Sequence, residues 1–235
     1  MRANLCESFE RIVRRAAVID ERIAHDERFR RQPTESKIEE EFQWWMSKFL
    51  AVEGHTQVPV STSRGNFRLD FLFDGHVAIE LDGKKFHDFN RDAIRDRAIL
   101  CDTKITEIIR IPGAVWWWRE EDTMDVLMRW HARFFDEPCF DFPSDGFRLS
   151  IEMSDVGATW SRYTEDAETV HVALGGDDGI DYGASYESYF NPWRENHSLR
   201  RQDCFVARRT KQNIDLWCPR GDRGSAIREE RHETR

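Results

Sequence analysis

The sequence predicts an α/β fold: an αβββαβ core with a mixed sheet flanked by helices, preceded by an N-terminal helix and followed by a β-rich C-terminal appendage. Three observations predict it. Apolar residues recur at helical spacing in two stretches near the N-terminus. Two later stretches, Phe67–Phe73 and Val77–Asp82, alternate as strands do. The strand-helix-strand unit over 77–111 then has about the length that a parallel crossover requires.

Residues 4–30 form the first expected helix, with Leu5, Phe9, Ile12, Ala16, Ile19 and Ile23 at spacings of four and three. The stripe is heptad-like but short. It suits a helix packed on its own core, or a seam for a homodimer or another protein partner. Gln32-Pro33 ends it. A second helix opens at Ser36, carries Ile38, Phe42, Trp45 and Phe49 on one side, and closes at Gly54. Strands follow at Gln57–Val60, Phe67–Phe73 and Val77–Asp82. Phe67, Leu69, Phe71 and Phe73 should share one face of their strand. Asn90 caps a helix over about 91–102, with Ile94, Ala98 and Cys101 inward. A strand at Ile105–Ile111 stops at Pro112-Gly113, and Met124, Leu127, Trp130 and Phe134 mark the next helix.

Beyond Pro138 the character changes. Phe147–Met153 and Val170–Leu174 alternate like strands, and Phe205–Ala207 and Ile214–Trp217 are weaker strand candidates. The expected division is a helix over 1–32, a core over 33–137, a small β-rich appendage over 138–223 and a polar tail over 224–235.

Composition narrows the function classes. The formal net charge of -9 argues against a protein that coats nucleic acid. The acidity is concentrated, however: residues 137–190 hold 12 acidic and 2 basic side chains, so the rest can still present a basic surface to phosphates. No stretch has the apolar length of a membrane span, and no signal peptide is legible at the N-terminus. Five scattered cysteines without a C-x-x-C pair indicate neither a zinc site nor a disulfide framework, and point to a reducing cytoplasm.

Register decides how the acidic residues meet. A two-residue Asp74-Gly75 turn would set Asp70 opposite Ile79 and mix apolar with acidic faces. A three-residue loop, Asp74-Gly75-His76, sets Phe71 against Ile79, Asp70 against Glu80 and Arg68 against Asp82. Burial of the aromatic face favours the second, since a one-residue slip turns every side chain over. Asp70, Glu80 and Asp82 then share one sheet face, where directly opposed Cβ atoms lie about 4.5–5.5 Å apart. Carboxylates so close repel unless a cation or proton intervenes. Mg²⁺ or Mn²⁺ is the natural partner for oxygen ligands that leave positions open for phosphate.

Leu69-Asp70, nine further residues, and Glu80-Leu81-Asp82-Gly83-Lys84 resemble the signature of the PD-(D/E)XK nucleases. The longer run IELDGKKFHDFNRDAIRDRAIL, then ITEIIRI, and the opening SKIEEEF resemble domains related to the very-short-patch mismatch-repair endonuclease. The resemblance spans roughly Ser36 to Met128. It implies a restriction-endonuclease-like core and metal-dependent cleavage or nicking of DNA, the alternative being a weak or inactive nuclease-fold module that binds DNA or a protein. It implies that Asp70 and Glu80 bind the metal with the Leu81 carbonyl, and that Glu39 holds the ion through water or positions the nucleophile. Asp82 stands where the signature has lysine. Lys84, two residues on, is the candidate substitute, and His87 the candidate for proton transfer or phosphate contact.

Each residue also has a plain structural role open to it. Ser36 and Glu39 fit a capping box. Asp70 and Arg68 fit solvated strand positions pairing to Asp82, and Lys84 and Lys85 fit loop charges. Asp88, Arg91, Asp92, Arg95 and Asp96 fit an ion-pair lattice along one helix, with Arg91 and Arg95 the candidates for phosphate. Trp117, within Trp116-Trp117-Trp118, is either a base-stacking indole or core.

Overall fold

The structure is a computed structural model that describes residues 2–25, 31–83, 89–118, 120–135, 147–153, 158–165, 168–173, 178–184 and 205–218. The fold is α/β. The helices are α1 (Arg2–Ala24), α2 (Lys37–Phe49), α3 (Phe89–Asp102), α4 (Gly113–Trp118), α5 (Glu120–Trp130) and α6 (Ile214–Trp217), with a 3₁₀ turn at Ala132–Phe134. The strands are β1 (Gly54–Thr62), β2 (Gly65–Phe73), β3 (Val77–Asp82), β4 (Glu107–Pro112), β5 (Phe147–Met153), β6 (Ala158–Glu165), β7 (Glu168–Ala173), β8 (Asp181–Ala184) and β9 (Val206–Thr210). They form one mixed sheet in the order β1-β2-β3-β4-β9-β8-β7-β6-β5. Among the described strands only β3 and β4 run parallel, joined over α3.

The hairpin between β2 and β3 has the predicted register, with Phe71 opposite Ile79 and Phe73 opposite Val77. Asp74 and Gly75 both have positive φ, and the His76 N–H donates to the Phe73 carbonyl at 3.1 Å. This is the backbone of a type I′ turn with Asp74 and Gly75 at its centre. His76 is the extra residue, and its carbonyl accepts the Thr106 N–H at 2.9 Å, tying the hairpin to the start of β4.

Two apolar layers cover the sheet. One joins Phe42, Trp45 and Met46 of α2, Trp116 of α4 and Leu127 of α5 to Phe71, Phe73, Ile79 and Ile109. The other joins Ala93, Ile99 and Leu100 of α3 to Leu69, Ala78, Ile108, Tyr182, Phe205 and Trp217. Central strands buried on both faces read as continuous apolar runs, and β4 is buried at every position.

Several expectations need correction. Leu69 and Phe71 do not share a layer: Leu69 lies in the α3 layer, Phe71 and Phe73 in the α2 layer. The β1–β2 ladder skips Gln57 and Asp70 between them, and the hairpin changes face there. Arg68 turns away from Asp82 and pairs with Glu35. Asn90 lies inside α3, which begins at Phe89. Ile94 and Cys101 are exposed, because α3 turns Ala93, Asp96, Ile99 and Leu100 inward instead. α2 ends at Phe49, and Gly54 opens β1; a Cβ there would lie 2.9 Å from Leu50 Cδ2. Ile214–Trp217 is a helical turn, and β6 and β8 arise where no strand was expected.

The strands beyond Pro138 extend the core's own sheet. β9 pairs antiparallel with β4, and β8 pairs with β9. Gly183 of β8 packs so close to α5 that a Cβ would lie 2.4 Å from Val126 Cγ1. The tail over 224–235 lies outside the described residues. α1 packs on its own chain through fully buried Ile19, and Arg15 and Arg22 both donate to Glu41 of α2. Among the described residues, no helix is long and apolar enough to cross a membrane.

Candidate active site

The paired part of β2 and β3 ends at Phe71 and Ile79. At the next position the Asp70 carboxylate takes over from the backbone, its Oδ2 accepting the Leu81 N–H at 2.9 Å. The expected Asp70–Glu80 pairing lies one step beyond the paired register, and Asp70 is near enough to Glu80 for its charge to act there. Burial pushes the Asp70 carboxyl up to about 6; the Leu81 N–H opposes this, while the charges of Glu39 and Asp82 add to it. Glu80, on a strand covered from both sides, is 4% exposed. Its carboxyl is pushed up to about 8 by burial, against the pull of Arg95 and Arg110 and with the push of Asp70 and Asp96.

Glu39 comes from the first turn of α2. Ser36 is the N-cap, its Oγ accepting the Glu39 N–H at 3.3 Å. The return half of a capping box reaches one residue further back than usual, because Glu39 Oε2 accepts the Glu35 N–H at 3.0 Å. Oε1 accepts from Ser36 Oγ at 2.7 Å, and Oε2 accepts a second bond from Gln57 Nε2 at 2.7 Å. The cap and the site therefore share one residue, with Glu39 near enough to Asp70 for their charges to interact.

Asp82 faces a different partner. Its Oδ1 accepts from Arg110 Nη1 at 2.7 Å, across the parallel β3–β4 pair. Arg110 also grips Asp96 of α3 with two bonds, Nε to Oδ2 at 2.8 Å and Nη2 to Oδ1 at 2.7 Å. Arg209 of β9 donates to the same Asp96 oxygen as Arg110 Nε. Burial opposes ionisation of Asp96, but the charge and hydrogen bonds of Arg110, then Arg209 and Arg95, hold its carboxyl down at about 2. Asp96, expected in an ion-pair lattice along α3, is paired instead across to β4 and β9, because the helix turns it into the core.

The two phosphate candidates of α3 part company. Arg91 is exposed beside Asp92. Arg95 is turned inward: Nη2 donates to Glu80 Oε1 at 3.0 Å and to the Arg68 carbonyl at 2.8 Å, with the guanidinium carbon 5.7 Å from the Phe67 ring centre. Trp116 is fully buried, and Trp117 is half-buried with its carbonyl accepting Arg15 Nε at 3.3 Å. Lys84, Lys85 and His87 lie outside the described residues.

Arg110, Arg209 and Gln57 escaped the sequence reading. Arg110 had a signal: it is the one basic residue inside the apolar run EIIRIP, where a buried strand tolerates a charge only if it is paired. Arg209 and Gln57 had none.

Among the described residues, no group of three or more imidazole, thiolate or carboxylate side chains is gathered so as to hold a metal ion. The oxygen ligands that the resemblance implies are Asp70, Glu80 and the Leu81 carbonyl. That suits a hard cation, since Mg²⁺ is commonly held by one or two carboxylates and completed by water and phosphate. Both carboxyls are raised by burial, and a bound cation would relieve that. No protein-family model, curated protein or solved structure matches this chain.

Proposed function

We propose that the chain is a Mg²⁺- or Mn²⁺-dependent endodeoxyribonuclease of the PD-(D/E)XK type with a restriction-endonuclease-like core. The observation that carries this reading is that, where β2 and β3 stop pairing, half-buried Asp70 and buried Glu80 both have carboxyls raised by burial and lie near enough for their charges to interact. Asp70, Glu80 and the Leu81 carbonyl would hold the ion. When bound, such an ion lowers the pKa of a coordinated water and neutralises charge on the phosphate. Glu39, anchored by the N-cap, positions the attacking water. Asp82 is engaged by Arg110, so it orients that arginine and leaves the proton-transfer role to Lys84 or His87. Arg95, the cation in contact with Glu80, is the described side chain best placed to meet a phosphate; Lys85, Arg91 and Trp117 are proposed contacts to flanking DNA.

Nicking of supercoiled plasmid tests this. Activity should require Mg²⁺ and fall at least about 100-fold in Asp70→Ala and in Glu80→Ala. Parent-like nicking in both variants would sink the proposal.

One observation favours a second reading. Glu80 and Asp82 each already hold an arginine, Arg95 and Arg110. A nuclease fold kept as a non-catalytic module for DNA or a protein partner would look the same. DNA binding that falls with salt but ignores both EDTA and Asp70→Ala would favour it.

A further inference from the structure

Gln57 lies in β1 between His55 and Pro59, both exposed, yet it is itself half-buried. Thr56 pairs with Phe71 and Val58 with Leu69, so Gln57 stands across from Asp70 at the one step inside this ladder that is left unpaired. Its φ is +53°. Among the described residues only Asp74 shares a positive φ without being glycine, and the hairpin turn accounts for Asp74. No turn accounts for Gln57. A left-handed residue with a Cβ inside a strand is strained, and such strain concentrates at functional sites.

The unusual backbone accompanies a side chain turned onto α2. There Nε2 donates to Glu39 Oε2 at 2.7 Å, while Oε1 is buried and has no donor among the described residues. A buried amide oxygen without a donor is costly, and an ordered water is the usual remedy. The amide carries no charge, so it can accept a hydrogen bond here without adding to the repulsion between Glu39 and Asp70.

We propose that Gln57 is a positioning residue of the candidate site: Nε2 fixes the Glu39 carboxylate, and Oε1 accepts a hydrogen bond from the water that Glu39 and Asp70 hold for attack on the phosphate. The role rests on the metal-dependent reading above. Its strain is the cost of placing a neutral acceptor between two acids.

Full-length Gln57→Gly and Gln57→Asn test it, with Asp70→Ala as reference. Glycine accepts the positive φ and removes the amide; asparagine tolerates the positive φ but is one methylene too short to reach Glu39. Both should melt within about 4 °C of the parent. Both should lose about 10–100-fold in kcat or in Mn²⁺ affinity by titration calorimetry, with KM for DNA unchanged. Parent-like kcat and Mn²⁺ affinity in both variants overturn the role. Failure of both to fold overturns it too, since Gln57 would then be structural. If Asp70→Ala loses Mn²⁺ while the Gln57 variants keep it, only the Gln57 role falls. If Asp70→Ala also binds Mn²⁺ as the parent does, the metal-dependent reading falls with it.

Discussion

Asp96 and Glu80 are both buried acids of the same sheet-and-helix layer, yet they are held in opposite states. Asp96 receives three hydrogen bonds from two guanidinium groups and stays ionised, its carboxyl at about 2. Among the described residues Glu80 receives one, from Arg95, and its carboxyl sits at about 8. Burial is common to both, so the difference lies in how many cations answer each charge. An acid fully answered from within is scaffold. An acid left short is where a cation from outside is best accommodated.

The largest effect should come from breaking the satisfied member. Asp96→Ala leaves Arg110 and Arg209 buried without their shared partner and should cost about 3–5 kcal/mol in denaturant unfolding. A loss under about 1 kcal/mol would mean that the network is not what holds α3 to β4 and β9. The same acid sets an acid limit. Its folded carboxyl lies below its ordinary value of 3.8, so its contribution is full above about pH 4 and is lost as pH falls toward 2. That contribution is about 2–3 kcal/mol.

Glu80 should behave in the reverse sense. Its folded carboxyl lies above its ordinary value of 4.5, so the stability it lends is full below pH 4.5 and fades as pH rises toward 8. Glu80→Gln should flatten that slope in thermal melts between pH 5 and 8. At pH 8, Mn²⁺ at 100 times its Kd should add about 2.7 kcal/mol to the parent and nothing to Glu80→Gln. An equal gain in both would place the ion elsewhere.

Two smaller effects test the supports of each acid. Gly183→Ala forces a Cβ onto Val126 of α5, where it would lie 2.4 Å from Cγ1. It should cost about 1–3 kcal/mol, because β8 is the neighbour that keeps β9 and Arg209 in the sheet. Ser36→Ala removes the N-cap of α2 and a donor to Glu39. It should cost about 1 kcal/mol in unfolding, with a larger proportional loss in nicking than in stability.

The sequence was most legible where one local rule governed the outcome. Alternation and aromatic burial placed Phe71 against Ile79. The Ser36 cap and the start of α2 followed from capping chemistry alone. Legibility ended where distant elements meet. Asp96, which reads as one charge in a solvated helix lattice, is inside because Arg110 and Arg209 reach it from β4 and β9. Ile94 and Cys101 are outside for the same reason, since the helix turned its acid inward. The split of Leu69 from Phe71 depends on a left-handed residue in the neighbouring strand, and no pattern in β1 announces it.

The place of β9 also bears on how the chain folds. It lies between β4 and β8, and its arginine completes a charge cluster begun more than a hundred residues earlier. Until residues 206–210 have been made, the edge of β4 is unpaired and Asp96 and Arg110 lack their third member. Pairing so distant in sequence is slow and leaves a sticky edge exposed meanwhile. A chain still being synthesised would thus hold its carboxylates on an unfinished scaffold. The Asp96 cluster beneath the candidate site is complete only once β9 has joined the sheet.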